Sequence, residues 1–233
     1  MCMSPLGTVD SSPCPALTGV WRRHGLALDD APAVEDSCVV WLQAGPYFAD
    51  MRTPLADSSA PATAFCGRSM WAAPVMTFHR DLDLAVPPRA DSGHLRFADG
   101  QLIEDGTFTR DGRTIRYREF WTRTDHTPSR RLVLDAVTKT SSRRYVEVDG
   151  HAMMMVDDRA MGGAFLATHF VEEGGRWHGA RHLDDGNALA APIIDDPAAT
   201  QTVLSFPNLA PPWSDTLWRV QWRDLPGEGA QHG

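Results

Sequence analysis

Along most of the chain, apolar and polar residues alternate with a period of two, the pattern of strands that bury one face. The alternation predicts strands over 17–24, 37–43, 47–52, 63–67, 75–83, 94–98, 101–104, 114–124, 144–148, 151–156, 163–171, 175–178, 200–206 and 216–223. Turn-forming residues fall between them: Gly45-Pro46, the Ser-, Ala- and Pro-rich stretch 54–61, Pro87-Pro88, and Asp-Gly at 99–100, 111–112 and 149–150. Asp-Gly accepts positive φ at both central positions and so suits two-residue hairpins. Helical periodicity is scarce, and 187–196 reads as a loop or one helical turn. Roughly a dozen short strands, spaced about 8–12 residues apart, predict a sandwich or a barrel. A barrel is favoured because closure removes exposed edges and leaves interior space. The expected architecture is all-β: a single antiparallel barrel with a central cavity over 17–225, a flexible leader over 1–16 and a tail over 226–233.

Length and composition narrow the class of partner. The 233 residues suffice for one sizeable core, and 42% hydrophobic with 22% charged residues is ordinary for a globular domain. The formal net charge of −8 and the absence of a basic stripe argue against nucleic acid. The pairs Arg22-Arg23, Arg130-Arg131 and Arg143-Arg144 read as solvated surface. No apolar run is long enough for a membrane helix, and 1–16 lacks the features of a signal peptide, so a cytoplasmic setting is expected. Of the four cysteines (Cys2, Cys14, Cys38, Cys66), the last two lie in strand-like segments and read as small buried apolar residues. No metal or cofactor is expected. His169, His178 and His182 lie close in sequence, but on a strand their spacing does not bring them to one ion. GxGxxG, Walker and GxSxG motifs are missing.

Three segments could carry chemistry. In Tyr117-x-Glu119-x-Trp121-x-Arg123 the four side chains share one strand face, opposite Arg116, Arg118, Phe120 and Thr122. That face is either a wet cavity wall or an outer surface with cross-strand ion pairs. A desolvated Glu119 would work as a general acid or base, whereas pairing with Arg123 would keep it a carboxylate. Trp41-x-Gln43 and Phe48-x-Asp50-x-Arg52 lie on two strands joined by Ala44-Gly45-Pro46. There Asp50 and Arg52 either brace each other or anchor a ligand. His79, Asp81 and Asp83 alternate onto one face, as a proton carrier or as a surface pair.

Taken in order, Gly19-Val20-Trp21-Arg22-Arg23, Val40-Trp41-Leu42-Gln43, residues 47–54, Phe65-Cys66-Gly67, Phe78-His79-Arg80-x-x-Asp83, Leu102-Ile103-Glu104-x-Gly106 and Tyr117-x-Glu119-x-Trp121 resemble a poorly characterised group of lipocalin-like proteins, the HRI1-like group. The resemblance covers roughly residues 17 to 125 and implies a lipocalin-like β-barrel. Such barrels include carriers and also cofactor-free cyclases, isomerases and lyases of specialised metabolism. Gly19-x-Trp21 also resembles the start of haem-binding barrels of the nitrobindin type, whose glycine-rich continuation is replaced here by Arg22-Arg23-His24.

The expected function is that of a small-molecule-binding barrel, leaning to a cofactor-independent enzyme that works by acid/base chemistry. Glu119, Tyr117, His79 and Arg123 are its candidate catalytic residues. Trp21, Trp41, Gln43, Asp50, Arg52 and Trp121 are its candidate binding residues. The expected partner is a small organic molecule in the cavity, and a homodimer is compatible with the sequence. The alternatives are a non-catalytic carrier of a hydrophobic or haem-like ligand, and a structural domain whose barrel is plugged by its own side chains.

Overall fold

A computed structural model of the chain describes residues 15–85, 90–124, 130–137, 139, 141–174, 176–184, 187–189, 193–194, 219–224 and 231–232. Residues 1–14 of the expected leader, the predicted strand 200–206, Cys2 and Cys14 lie outside the described residues. So does the expected tail, apart from 231–232.

Eight strands run up and down and close into an antiparallel barrel. They are β1 (Gly19–Leu28), β2 (Ser37–Ala44), β3 (Tyr47–Pro54), β4 (Thr63–Ala72), β5 (Val75–Asp83), β6 (Asp91–Ala98), β7 (Gln101–Arg110) and β8 (Arg113–Arg123). Each pairs with the next, and β8 returns to β1. The Asp-Gly turns behave as their composition requires: Asp99, Gly100, Asp111, Gly112, Asp149 and Gly150 all have positive φ. A bulge between Arg23 and Gly25 re-phases β1 against β8. One extra residue shifts the alternation, so Arg23, Leu26 and Leu28 all reach the pocket at one end of the barrel.

The barrel is smaller than the expected span of 17–225. The remaining strands form a second sheet: β9 (Arg131–Val137), β10 (Ser142–Val148), β11 (His151–Asp157), β12 (Phe165–Glu173), β13 (Arg176–Asp184), β14 (Asn187–Leu189), β15 (Ile193–Ile194), β16 (Arg219–Asp224) and β17 (Gln231–His232). Their order is β14-β13-β12-β11-β10-β9-β16-β17, with β15 also on β13. The physical reason lies in β2, β3 and β4, which are apolar on both faces. Val40, Leu42, Ala49, Met51, Ala64 and Cys66 point out of the barrel and must be covered. Val133, Val146, Val148, Met153, Met155 and Phe165 of the second sheet cover them in one continuous core. Burying each such side chain contributes roughly 1.5–3 kcal/mol. Arg144 ties the layers together, donating to Asp81 on β5 at 2.7 Å and holding Asp135 with two bonds of 2.6 and 2.7 Å.

The basic pairs are therefore not plain solvated surface. Neighbouring residues on a strand face opposite ways, and Arg23 and Arg144 turn inward onto carboxylates. Among the described residues, no helix is long and apolar enough to cross a membrane.

Candidate functional site

The two ends of the barrel differ. At one end a short 3₁₀ turn, Pro15–Leu17, brings buried Leu17 against an aromatic plug that includes Trp21, Trp41, Phe48, Phe78 and Trp121. Trp21 donates its indole N–H to the Leu17 carbonyl at 2.8 Å. Trp41 donates to Gln43 Oε1 at 3.0 Å, and Gln43 donates in turn to the Gly45 carbonyl and Ser69 Oγ. The hydrogen-bonding groups of Trp21, Trp41 and Gln43 are thus engaged inside the protein.

At the other end the barrel opens into a pocket of about 1100 Å³, lined by charged and hydroxyl side chains together with Leu26, Leu28, Leu55 and Phe108. Its walls are the ends of β1, β2, β3, β4, β6, β7 and β8, and the β3–β4 loop (residues 55–62) forms part of its rim. That loop is tied to the β1–β2 loop by Leu55 N–H donating to the Asp36 carbonyl at 2.9 Å.

Two glutamates face each other across the inner wall. Glu104 on β7 and Glu119 on β8 are directly opposed Cα partners, 5% and 4% exposed. Like charges at such a position repel. The surroundings treat the two differently. Onto Glu119 Oε1 converge Arg23 Nη1 at 2.6 Å and Arg52 Nη1 at 3.2 Å. Arg23 also holds Glu35 with bonds of 3.0 and 2.9 Å, and Arg52 donates to Asp50 at 2.8 Å. Neither Arg23 nor Arg52 donates to Glu104. Burial, then the neighbouring charge of Glu119, push the Glu104 carboxyl up to about 8, although the Tyr117 hydroxyl donates to its Oε1 at 3.0 Å and pulls the other way. The surroundings of Glu104 therefore favour its neutral, protonated form. Burial and the Glu104 charge push the Tyr117 phenol up as well.

Glycines make the room for this pair. A Cβ at Gly106 would lie 2.4 Å from the Tyr117 hydroxyl oxygen, and one at Gly93 would lie 2.5 Å from Glu104 Oε1. The Tyr117 ring and the Glu104 carboxyl lie over bare backbone.

The structure brings Tyr117, Glu119 and Arg52 together at this mouth, and sets Asp50, Trp41 and Trp121 around a narrow void of about 20 Å³ that adjoins it. It does not bring the remaining candidates there. Arg123 is exposed at the plugged end and donates to the Thr18 carbonyl at 2.8 Å. His79 is exposed on the outside of β5, with Asp81 directed toward Arg144, while Asp83 turns back onto Arg80 at 3.1 Å. Trp21 and Gln43 belong to the plugged end. The histidines also separate. His169 stacks on His151, its Nε2 at 3.0 Å from His151 Nδ1, whereas His182 bonds Thr168. Burial, then His151 and Arg181, push His169 well below its usual range. Among the described residues, no three His, Cys, Asp or Glu side chains are grouped so as to hold a metal ion.

Glu104, Arg23 and Glu35 are the site residues that the strand pattern did not single out. The signal for Glu104 was present: a lone carboxylate in Leu102-Ile103-Glu104, two hairpin positions from a glycine, and in register with Glu119 once the Asp-Gly turn is placed.

No family model matches the chain. No curated protein matches it either. Among solved structures, the crystal structure of the uncharacterized protein YLR301w from Saccharomyces cerevisiae is similar, with a TM-score of 0.62 and 13% identity over 88% of this chain and 98% of that one. At that identity the likeness is one of fold.

Proposed function

We propose that this chain is a small-molecule-binding barrel that catalyses a cofactor-independent proton transfer, of the isomerase, lyase or cyclase type, at its open mouth. One observation carries the reading: two opposed glutamates set in unlike surroundings, Glu104 buried against a phenol with no guanidinium on it, Glu119 gripped by two guanidinium groups. Environments that push paired carboxyls apart divide the roles of acid and base between them. In this reading Glu104 donates a proton to the substrate oxygen with Tyr117 orienting it, Glu119 accepts the proton that leaves the substrate carbon, and Arg23 and Arg52 stabilise the charge that develops. The charged and hydroxyl side chains among the pocket's walls, Arg23, Arg52, Glu104, Tyr117 and Glu119, support a hydroxylated or carbonyl substrate. We also propose membership of the HRI1-like group, which the fold shared with the HRI1-like yeast protein supports.

The test uses a panel of small hydroxy-ketones in D₂O, followed by proton NMR. Deuterium incorporation or isomerisation is expected with the wild-type protein. In Glu104→Gln it should fall by at least about 100-fold with affinity retained. Exchange no faster than in buffer for every compound, or equal exchange in the variant, contradicts the proposal. Binding without turnover in either form supports a carrier.

A further inference from the structure

Two of the residues that line the narrow void beside the pocket carry a hydrogen-bond donor that finds no acceptor among the described residues. The first is Trp121 Nε1–H, on a side chain only 1% exposed. The other two buried indoles of the plug, Trp21 and Trp41, each have one. The second is Arg80 Nε–H. Arg80 is held in place on three sides: Nη1 bonds Asp83 at 3.1 Å, Nη2 bonds Asp91 at 3.2 Å, and its guanidinium lies 3.6 Å over the Phe65 ring. A buried donor left without a partner is destabilising, so two on the walls of one void call for an explanation.

Both residues line the same space of about 20 Å³, and Arg52, Asp91 and Glu104 line both this void and the large pocket. That is room for about one oxygen-sized group. The charge around it selects which group. The guanidinium groups of Arg52 and Arg80 on its walls are matched by the carboxylates of Asp50 and Asp91, so a further full charge of either sign is left without a partner. Donors without acceptors disfavour an ammonium, which brings only more donors.

We propose that this void is an oxygen subsite: an uncharged oxygen of the pocket's ligand, a carbonyl or a hydroxyl, enters it and accepts hydrogen bonds from Trp121 and Arg80. The subsite rests on the proposed function and narrows its substrate class to aldehydes, ketones and alcohols, with carboxylates, phosphates and amines excluded. It also places that oxygen beside Glu104, where a neutral acid can reach it.

Four probes share one ring and differ only in the group that would enter: cyclohexanone, cyclohexanol, cyclohexanecarboxylate and cyclohexylamine. The readout is the Trp121 indole N–H resonance of the full-length protein, assigned by triple-resonance spectra. The ketone or the alcohol is expected to move it downfield, and the pair tells a carbonyl occupant from a hydroxyl one. The anion and the amine are expected to leave it in place. Trp121→Phe, which keeps an aromatic ring and removes the donor, should weaken the active probe about two- to tenfold. The subsite is refuted if no probe moves the resonance, or if the anion or amine moves it equally. A resonance already hydrogen-bonded and unmoved by every probe assigns the void to a resident water and also refutes it. The wild-type spectra decide the question even if the variant does not fold. If the indole responds but Glu104→Gln leaves hydroxy-ketone exchange unchanged, the acid–base reading falls and the subsite stands. Turnover with a static indole removes the subsite and leaves the acid–base reading in place.

Discussion

Replacing Glu104 by Gln removes one ionisation from the protein while nearly preserving shape. The carboxyl is faced by Glu119 and Tyr117 from β8, Asp91 from β6 and Arg52 from β3. In the unfolded chain it ionises near 4.5, and in the folded barrel near 8. Between those values the folded state keeps a proton that the unfolded state has lost. Stability from this group is therefore complete below about 4.5 and drains away as the pH rises through the folded value. At about 1.4 kcal/mol per pH unit, the total is up to about 5 kcal/mol. Water entry around the ionised group makes this an upper limit. Gln carries no such dependence. Relative to the wild type, the variant should thus gain stability steadily between pH 5 and 8 and then level off. The assay is urea unfolding of both proteins across pH 4 to 9. Asp50 and Glu147, whose pKa values burial also raises, cancel in the difference. A difference that does not change with pH would refute the claim that Glu104 holds its proton near neutrality.

Removing the hydroxyl in Tyr117→Phe deletes the donor that favours the ionised carboxylate, so Glu104 should titrate higher still, as measured by NMR titration. Met153→Ala opens a hole where the second sheet meets the barrel, since Met153 is 1% exposed. It should cost about 2–5 kcal/mol in urea unfolding, whereas a loosely attached sheet predicts almost nothing. His79→Ala changes an exposed side chain on the outer face and should alter stability by less than about 0.5 kcal/mol, with hydroxy-ketone exchange unchanged in the same NMR assay.

Much of the barrel was legible because one-sided burial writes a period of two. Val75–Asp83 was readable to the residue, and the Asp-Gly pairs at 99–100, 111–112 and 149–150 each marked a real hairpin, whereas Asp105-Gly106 runs through the middle of β7. The strand Arg131–Val137 went unseen because Leu132, Val133 and Leu134 are buried on both faces, which erases the alternation. Two-sided burial is also why the second sheet was invisible as a separate layer: the residues that join it to the barrel look like ordinary core. At the site, the shared face of Tyr117, Glu119 and Trp121 could be read from spacing alone. Arg123 continues that spacing but lies at the far end, where the strand has left the pocket. Glu104 depends on register across a hairpin, and Arg23 on a bulge that local patterning does not reveal. His79 follows the alternation of its strand onto the wrong side of the sheet.

The carbon-13 resonance of the Glu104 side-chain carboxyl, identified by its loss in Glu104→Gln, tests the central claim most directly. A neutral acid in the barrel mouth predicts that it stays protonated at pH 7 and titrates near 8. Titration near 4.5, the value of an ordinary glutamate, would show two equivalent carboxylates and no division of labour between them.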